Sequence, residues 1–177
     1  GFLMHIGIDD FGAINSSRGA AYGNYILKSV ADCMKECLSD KQRIYHLVAD
    51  QYVIVDLEHS SKDYAAELKK MIDARLYKFI VSEKYEAVFS ISVGVVDAVT
   101  FCEGYEECRK KFAFVLKKAK KMGKNGFYIF DDNDYESFLR TGKIVAALRN
   151  SVVNGFNGFE VYYQPIVDCS SERVIGA

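Results

Sequence analysis

The sequence predicts an α/β sandwich: a mixed, mostly antiparallel central sheet flanked by helices, followed by a C-terminal helix and a truncated hairpin. Three observations carry this. Apolar segments of strand length alternate with segments whose apolar residues recur every three or four positions. Two strand segments, Ile44–Val48 and Tyr52–Leu57, are joined by a turn too short for anything but an antiparallel hairpin. Half of the 177 residues are apolar, enough for one domain with a real core.

Phe2–Ile8 reads as the first strand, ended by Asp9-Asp10. Gly12, Asn15-Ser16-Ser17 and Gly19 then punctuate a loop. From about Ala21, Ile26, Leu27, Val30, Met34 and Leu38 mark a helix, broken at Ser39-Asp40-Lys41. After the hairpin, Ser60-Ser61 can cap a helix whose buried stripe is Leu68, Ile72, Leu76, Phe79 and Ile80. Ala87–Val96 is rich in β-branched residues and predicts a strand. Tyr105–Met122 predicts a helix that stops at Gly123, and Gly126–Phe130 a last strand. The acidic break Asp131–Asp134 can cap a long helix over Tyr135–Val153. Phe159–Asp168 and Val174–Ala177 then read as a hairpin of a new sheet, with Pro165 needing an edge or bulge position.

Composition excludes some functions. The net charge of -1 gives the molecule no general pull toward nucleic acid or an anionic membrane. No apolar run approaches the length of a spanning helix, about 18 residues, and the N-terminus has no signal-peptide pattern. Five cysteines (Cys33, Cys37, Cys102, Cys108 and Cys169) are odd in number and irregularly spaced. Cys33 and Cys37 share a helical face, but no second pair stands at zinc-ligand spacing. Reduced thiols packed as small apolar side chains in a cytoplasmic protein are expected.

Four segments carry a resemblance. The hairpin Val48-Ala49-Asp50-Gln51-Tyr52 resembles the Gly-Gly-Asp-Glu-Phe turn of the GGDEF family, the diguanylate cyclases. Ile8–Asn15 resembles the family's Asp-Ile-Asp-x-Phe-Lys-x-Ile-Asn stretch. Ile91–Val95 is similar to its Ser-Ile-Gly strand, and Ala119–Asn125 to its Ala-Lys-x-x-Gly-Arg-Asn helix end. The four occur in the family's order. The tail Phe159–Val167, with Leu148-Arg149 before it, resembles the opening of an EAL domain, the cyclic di-GMP phosphodiesterase. The resemblance implies residues 1–131 as a degenerate GGDEF domain lacking its N-terminal helix, 132–155 as a linker helix, and 156–177 as the N-terminal fragment of an EAL domain.

Position by position, the resemblance implies that most of the chemistry is gone. A diguanylate cyclase joins two GTP molecules by attack on an α-phosphate, which needs divalent metal and basic groups. The first-strand metal Asp falls at Gly7, the phosphate-contacting Lys at Gly12, and the second hairpin acid at Gln51. Val48 and Ala49 replace glycines that can take positive φ and approach phosphate closely. Asp50 survives. Two readings of Asp9 stand: a shifted, weak metal site with Asp50, since it shares Gly7's strand face, or a strand end in solvent beside Asp10.

The nucleotide-facing residues left are Phe11, Asn15 and Asn24, the last two at guanine-contacting positions, and Lys120 and Lys124 at the basic positions near the phosphates. Lys120 and Lys124, like Lys117, Lys118 and Lys121, also read as a solvated helix end that complements the helix dipole. The family's inhibitory Arg-x-x-Asp falls at Ser39–Gln42 without either charge, and His46 reads as structural. The expectation is a catalytically inactive module that senses GTP or scaffolds an adjacent EAL domain or a homodimer. A residual cyclase using Asp9 and Asp50 is the alternative. No cofactor is required; Mg2+ would accompany any bound GTP.

Overall fold

The computed structural model describes residues 1–99 and 104–176; Cys102 and Ala177 lie outside the described residues. The element order is β1 (Phe2–Ile8), α1 (Phe11–Arg18), α2 (Ala20–Glu36), β2 (Arg43–His46), β3 (Gln51–Asp56), α3 (Lys62–Ser82), β4 (Ile91–Asp97), α4 (Tyr105–Lys121), β5 (Phe127–Ile129), α5 (Asp132–Val153), β6 (Ile166–Asp168) and β7 (Arg173–Gly176). The chain forms two compact units, residues 1–135 and 136–177.

The first unit is built on a five-stranded sheet of order β2-β3-β1-β4-β5. β1 is central and antiparallel to both β3 and β4; only β4 and β5 run parallel. This is the mixed, mostly antiparallel sheet that the sequence predicts. Every residue of β1 is buried because helices cover both faces. Met4, Ile6 and Ile8 face a core shared with Ile26, Val30 and Met34 of α2 and Leu68, Ile72 and Leu76 of α3. Leu3, on the other face, packs with Val53, Val96 and the α4 residues Phe114 and Val115.

Gly94 sets how close α4 can lie. A Cβ added there would fall 2.5 Å from Val115 Cγ2 and 2.6 Å from the Val115 carbonyl carbon. The helix backbone therefore rests directly on β4, and a glycine is needed at that crossing.

The structure corrects several boundaries; the strand expected over Ile44–Val48 spans Arg43–His46. The loop expected after Asp10 is helix α1. Asp10 takes a left-handed conformation (φ 54°) that turns the chain into it. The serines that read as loop are satisfied inside the helix: Ser16 and Ser17 hydroxyls donate to the carbonyls of Gly12 and Ala13 at 2.9 and 2.8 Å. The strand expected from Ala87 begins at Ile91, because Lys84 and Tyr85 are left-handed and Arg18 binds Glu86 across the approach. α5 starts at Asp132, capped by the Asp131 carboxylate, which accepts from the Asp134 amide at 3.0 Å.

The second unit holds most of α5 and the antiparallel pair β6–β7. The strand expected from Phe159 is confined to Ile166–Asp168, directly after Pro165, which has no N–H to give a ladder. Phe159, Val161 and Tyr163, expected to alternate along one face, are all exposed. Among the described residues no helix is long and apolar enough to cross a membrane. Cys33 and Cys108 are buried, Cys37 half-buried and Cys169 exposed; burial pushes the thiols of Cys33 and Cys37 up.

Gly94→Ala is expected to cost about 2 kcal/mol or more, because the obstacle is helix backbone rather than a flexible side-chain end. Urea denaturation checks this; a loss under about 0.5 kcal/mol would show that α4 does not rest on that glycine.

Candidate functional site

The hairpin between β2 and β3 sits beside the C-terminal end of β1. The Ile8 amide donates to the Asp50 carbonyl at 3.2 Å, and Gly7 pairs with Gln51 across the ladder. The turn itself is closed by Gln51 N–H to Val48 O at 3.0 Å and Leu47 N–H to Gln51 O at 2.9 Å. Ala49 has φ 52°, the left-handed region that a glycine adopts without cost. Two side chains hold the turn in place. His46 Nε2 lies 2.8 Å from the Ala49 carbonyl. The buried Tyr52 hydroxyl donates to Leu27 O on α2 at 2.9 Å, and burial, with Asp50 nearby, pushes its pKa up to about 12.

On the α4 side of β1 the alternation of the strand puts His5 and Gly7 on one face. Lys120 reaches over that face from α4. A Cβ added to Gly7 would lie 3.0 Å from both Cε and Nζ of Lys120. The same ammonium is 3.5 Å from Asp50 Oδ2. Both groups are partly solvated, so the pair is worth about 1 kcal/mol or less.

His5, which motif comparison passes over, is the second member of this face. It is buried, with Nδ1 3.0 Å from the Phe112 carbonyl and Nε2 2.9 Å from the Gln51 side chain. Burial lowers its pKa and the Lys120 charge adds to this, against the raising effects of the two hydrogen bonds and Asp50. With its pKa lowered the ring carries one proton at ordinary pH, which it can donate to either of the two oxygens it faces, the Phe112 carbonyl or Gln51 Oε1. The signal in the sequence is period two: a histidine two residues before Gly7 in an otherwise apolar strand.

His5, Gln51 and Lys120 border a cavity of about 820 Å³ between the hairpin and α4. Its apolar lining includes Leu47, Val48, Phe112 and Leu116; Arg109, Lys117 and Lys121 make its rim basic.

The other expected site residues lie elsewhere. Asp9 does not end the strand in solvent. It is buried and accepts from Ser90 Oγ at 2.6 Å, Ser92 Oγ at 2.7 Å and Asn125 N–H at 2.9 Å. Burial pushes its pKa up, but the Ser90, Asn125 and Ser92 hydrogen bonds and the Lys120 charge outweigh this and hold it below the usual value. Asp10, by contrast, is exposed and pairs with Lys124 at 2.5 Å. Asn15 lodges between α1 and α2, its Oδ1 1.8 Å from the point where a Cβ on Gly23 would stand. Asn24 is exposed and Phe11 half-buried against the core. Asn125, read only as part of a motif, is a structural joint: left-handed, bound to Asp9, and accepting from the buried Lys69 ammonium at 2.6 Å. Gln42, in the segment compared with the inhibitory motif, is buried and donates to Asp56 Oδ2 at 2.6 Å.

Two predictions follow from these geometries. Ala49→Gly is expected to stabilise the chain by about 1 kcal/mol in chemical denaturation, by releasing left-handed strain; no gain would mean that the turn carries none. Asp9→Asn is expected to cost about 2 kcal/mol near neutral pH, because an amide offers donors where donors already point. Asp9 has a lowered folded pKa, so its stabilisation is present above the ordinary carboxylate value, about 3.9, and disappears as pH falls below it. The gap between wild type and variant should therefore shrink at low pH; a gap independent of pH would exclude the carboxylate as its source.

Comparison with known proteins gives the same placement. The chain is 25% identical over 173 residues to the cyclic di-GMP phosphodiesterase PdeB of Shewanella oneidensis, covering 97% of this chain and 20% of that protein. It is 25% identical over 174 residues to the cyclic di-GMP phosphodiesterase NbdA of Pseudomonas aeruginosa, covering 97% of this chain and 22% of that protein. The chain thus spans about a fifth of the length of the curated relatives it matches. In fold it is similar to the GGDEF domain of TpbB (YfiN) from P. aeruginosa, with a TM-score of 0.65 and 17% identity over 78% of this chain and 81% of that one. It is also similar to an EAL/GGDEF domain protein from M. capsulatus, with a TM-score of 0.60 and 20% identity over 73% of this chain and 84% of that one. Residues 1–126 match the family model described as diguanylate cyclase, GGDEF domain, and the chain belongs to the GGDEF family.

Proposed function

We propose that this is a catalytically inactive GGDEF domain that acts as a regulatory module in cyclic di-GMP signalling and controls an adjacent EAL phosphodiesterase. One observation carries the reading. The positions that should hold metal and activate a hydroxyl are Gly7, Asp50 and Gln51. The first has no side chain, the second faces an ammonium at 3.5 Å, and the third is engaged with a buried histidine at 2.9 Å. Losing one metal carboxylate removes several kcal/mol of transition-state stabilisation, and each ~1.4 kcal/mol is tenfold in rate. The names of PdeB and NbdA as cyclic di-GMP phosphodiesterases support placement beside an EAL domain, as does the EAL-like segment 156–177.

Two versions of the regulatory role differ in nucleotide. In the sensing version GTP lies along α1, with Phe11, Asn15 and Asn24 toward the base and Lys120 and Lys124 toward the phosphates. In the scaffold version the domain works by packing alone, on the EAL domain or a second copy. The Lys124–Asp10 ion pair and the lodging of Asn15 against Gly23 favour the scaffold, since both groups already have protein neighbours.

Incubation of the chain with GTP and Mg2+ is expected to yield neither cyclic di-GMP nor pyrophosphate; either product would overturn the inactive reading. Thermal melting with millimolar GTP separates the versions. A shift that Asn15→Ala reduces supports sensing, and the absence of a shift removes the sensing version.

A further inference from the structure

The family implies a divalent cation at the hairpin, and the side chains here do not fit one. A hard dication needs oxygen ligands, with carboxylates to balance its charge. Gly7 offers no side chain, and the Gln51 amide is held by His5. Both Asp9 oxygens already accept hydrogen bonds from Ser90, Ser92 and the Asn125 amide. Among the described residues no group of three or more His, Cys, Asp or Glu could hold a metal ion. Only Asp50 remains, and it faces Lys120.

The position of that ammonium is informative. It lies 3.0 Å from where the Cβ of any side chain at position 7 would begin, and 3.5 Å from the hairpin carboxylate. It therefore occupies the space between the strand and the turn. We propose that Lys120 is a built-in cation: its ammonium takes the place of the divalent metal, neutralises Asp50 and keeps metal out.

Three features make this arrangement self-consistent. Gly7 is the residue that leaves room, because a Cβ there would also press on Leu116 Cδ2 at 3.2 Å. Leu116, buried one helical turn before Lys120 on α4, flanks the same space. Gln51 carries no charge, so Asp50 is the one carboxylate of the turn, and one ammonium balances it. A dication there would be left with excess charge and would be repelled by Lys120.

The inference rests on equating this turn with the family's metal-binding hairpin, but it goes further than inactivity. The site is closed to metal by a resident positive charge, not only short of ligands. The test uses metal alone. Mn2+ is titrated into the whole chain and free Mn2+ is followed by electron paramagnetic resonance. Wild type is expected to take up no stoichiometric Mn2+ up to millimolar concentration. Lys120→Met, which keeps the apolar stem, is expected to bind Mn2+ at least tenfold more tightly than wild type, and Asp50→Asn added to it should abolish the gain. Gly7→Asp combined with Lys120→Met should tighten binding further.

Stoichiometric Mn2+ uptake by wild type that Asp50→Asn removes would overturn the proposal. So would unchanged affinity in Lys120→Met with a wild-type melting curve. Because no nucleotide is present, these outcomes are independent of the assay for cyclic di-GMP. Product formation sinks the inactive reading; metal uptake without product sinks only the built-in cation.

Discussion

The buried carboxylate of Asp9 is the joint on which the site end of the molecule depends. It sits where the central strand runs out and collects the Ser90 and Ser92 hydroxyls and the Asn125 amide. These donors come from the start of β4, from its approach and from the turn between α4 and β5. Asn125 passes the connection on, since its side chain accepts from Lys69, which is buried in α3 and also paired with Asp73. Burying a carboxylate is costly unless its oxygens are satisfied, and here donors converge on both of them. The same strand end positions the hairpin through the Ile8 amide and the Asp50 carbonyl. A turn whose chemistry is read in side chains is thus placed by backbone that one buried charge holds fixed.

On that frame the unusual residues form a set. His5, Gly7, Gln51 and Lys120 meet on the α4 face of β1 and β3, and each makes sense beside the others. Gly7 leaves the space that Lys120 fills. Gln51 supplies an uncharged partner for a histidine that burial keeps neutral. Lys120 and Asp50 cancel. An acid restored at position 51 alone would face a histidine that must either charge or lose its partner, in a region where desolvation opposes the charge. The four residues and Asp50 form one electrostatic arrangement.

The fold was legible because strand alternation and helical periodicity are local, and the four family-like segments occur in order. The misses were physical. α1 was hidden because serines that bond back to helix carbonyls have the composition of a loop. The late start of β4 was hidden because left-handed Lys84 and Tyr85 are neither glycine nor asparagine. Of the site, the sequence shows which residues stand at the motif-like positions but not what surrounds them. The placement of Lys120 shows only in the fold, where its ammonium lies 3.0 Å from the point that a Cβ on Gly7 would occupy. That of His5 depends on the register that sets Gly7 against Gln51. In the sequence Asp9 reads as a ligand or a solvent-exposed strand end because its three donors are distant in sequence, the Asn125 amide among them.

The turn keeps one trace of its relatives' glycines. Ala49 still has positive φ, although nothing in its side chain favours it. The conformation is over-determined by its surroundings: two backbone hydrogen bonds across the turn, His46 on the Ala49 carbonyl, and Tyr52 anchored to α2. Strain of this kind persists only where neighbouring contacts fix the backbone. Backbone of that shape can approach a phosphate closely. Here the shape is held while Val48 and Leu47 project from it, both largely exposed, and the charge beneath it is neutralised from within. Under the proposed regulatory reading, such a fixed turn would be presented to a neighbour, with no demand for turnover.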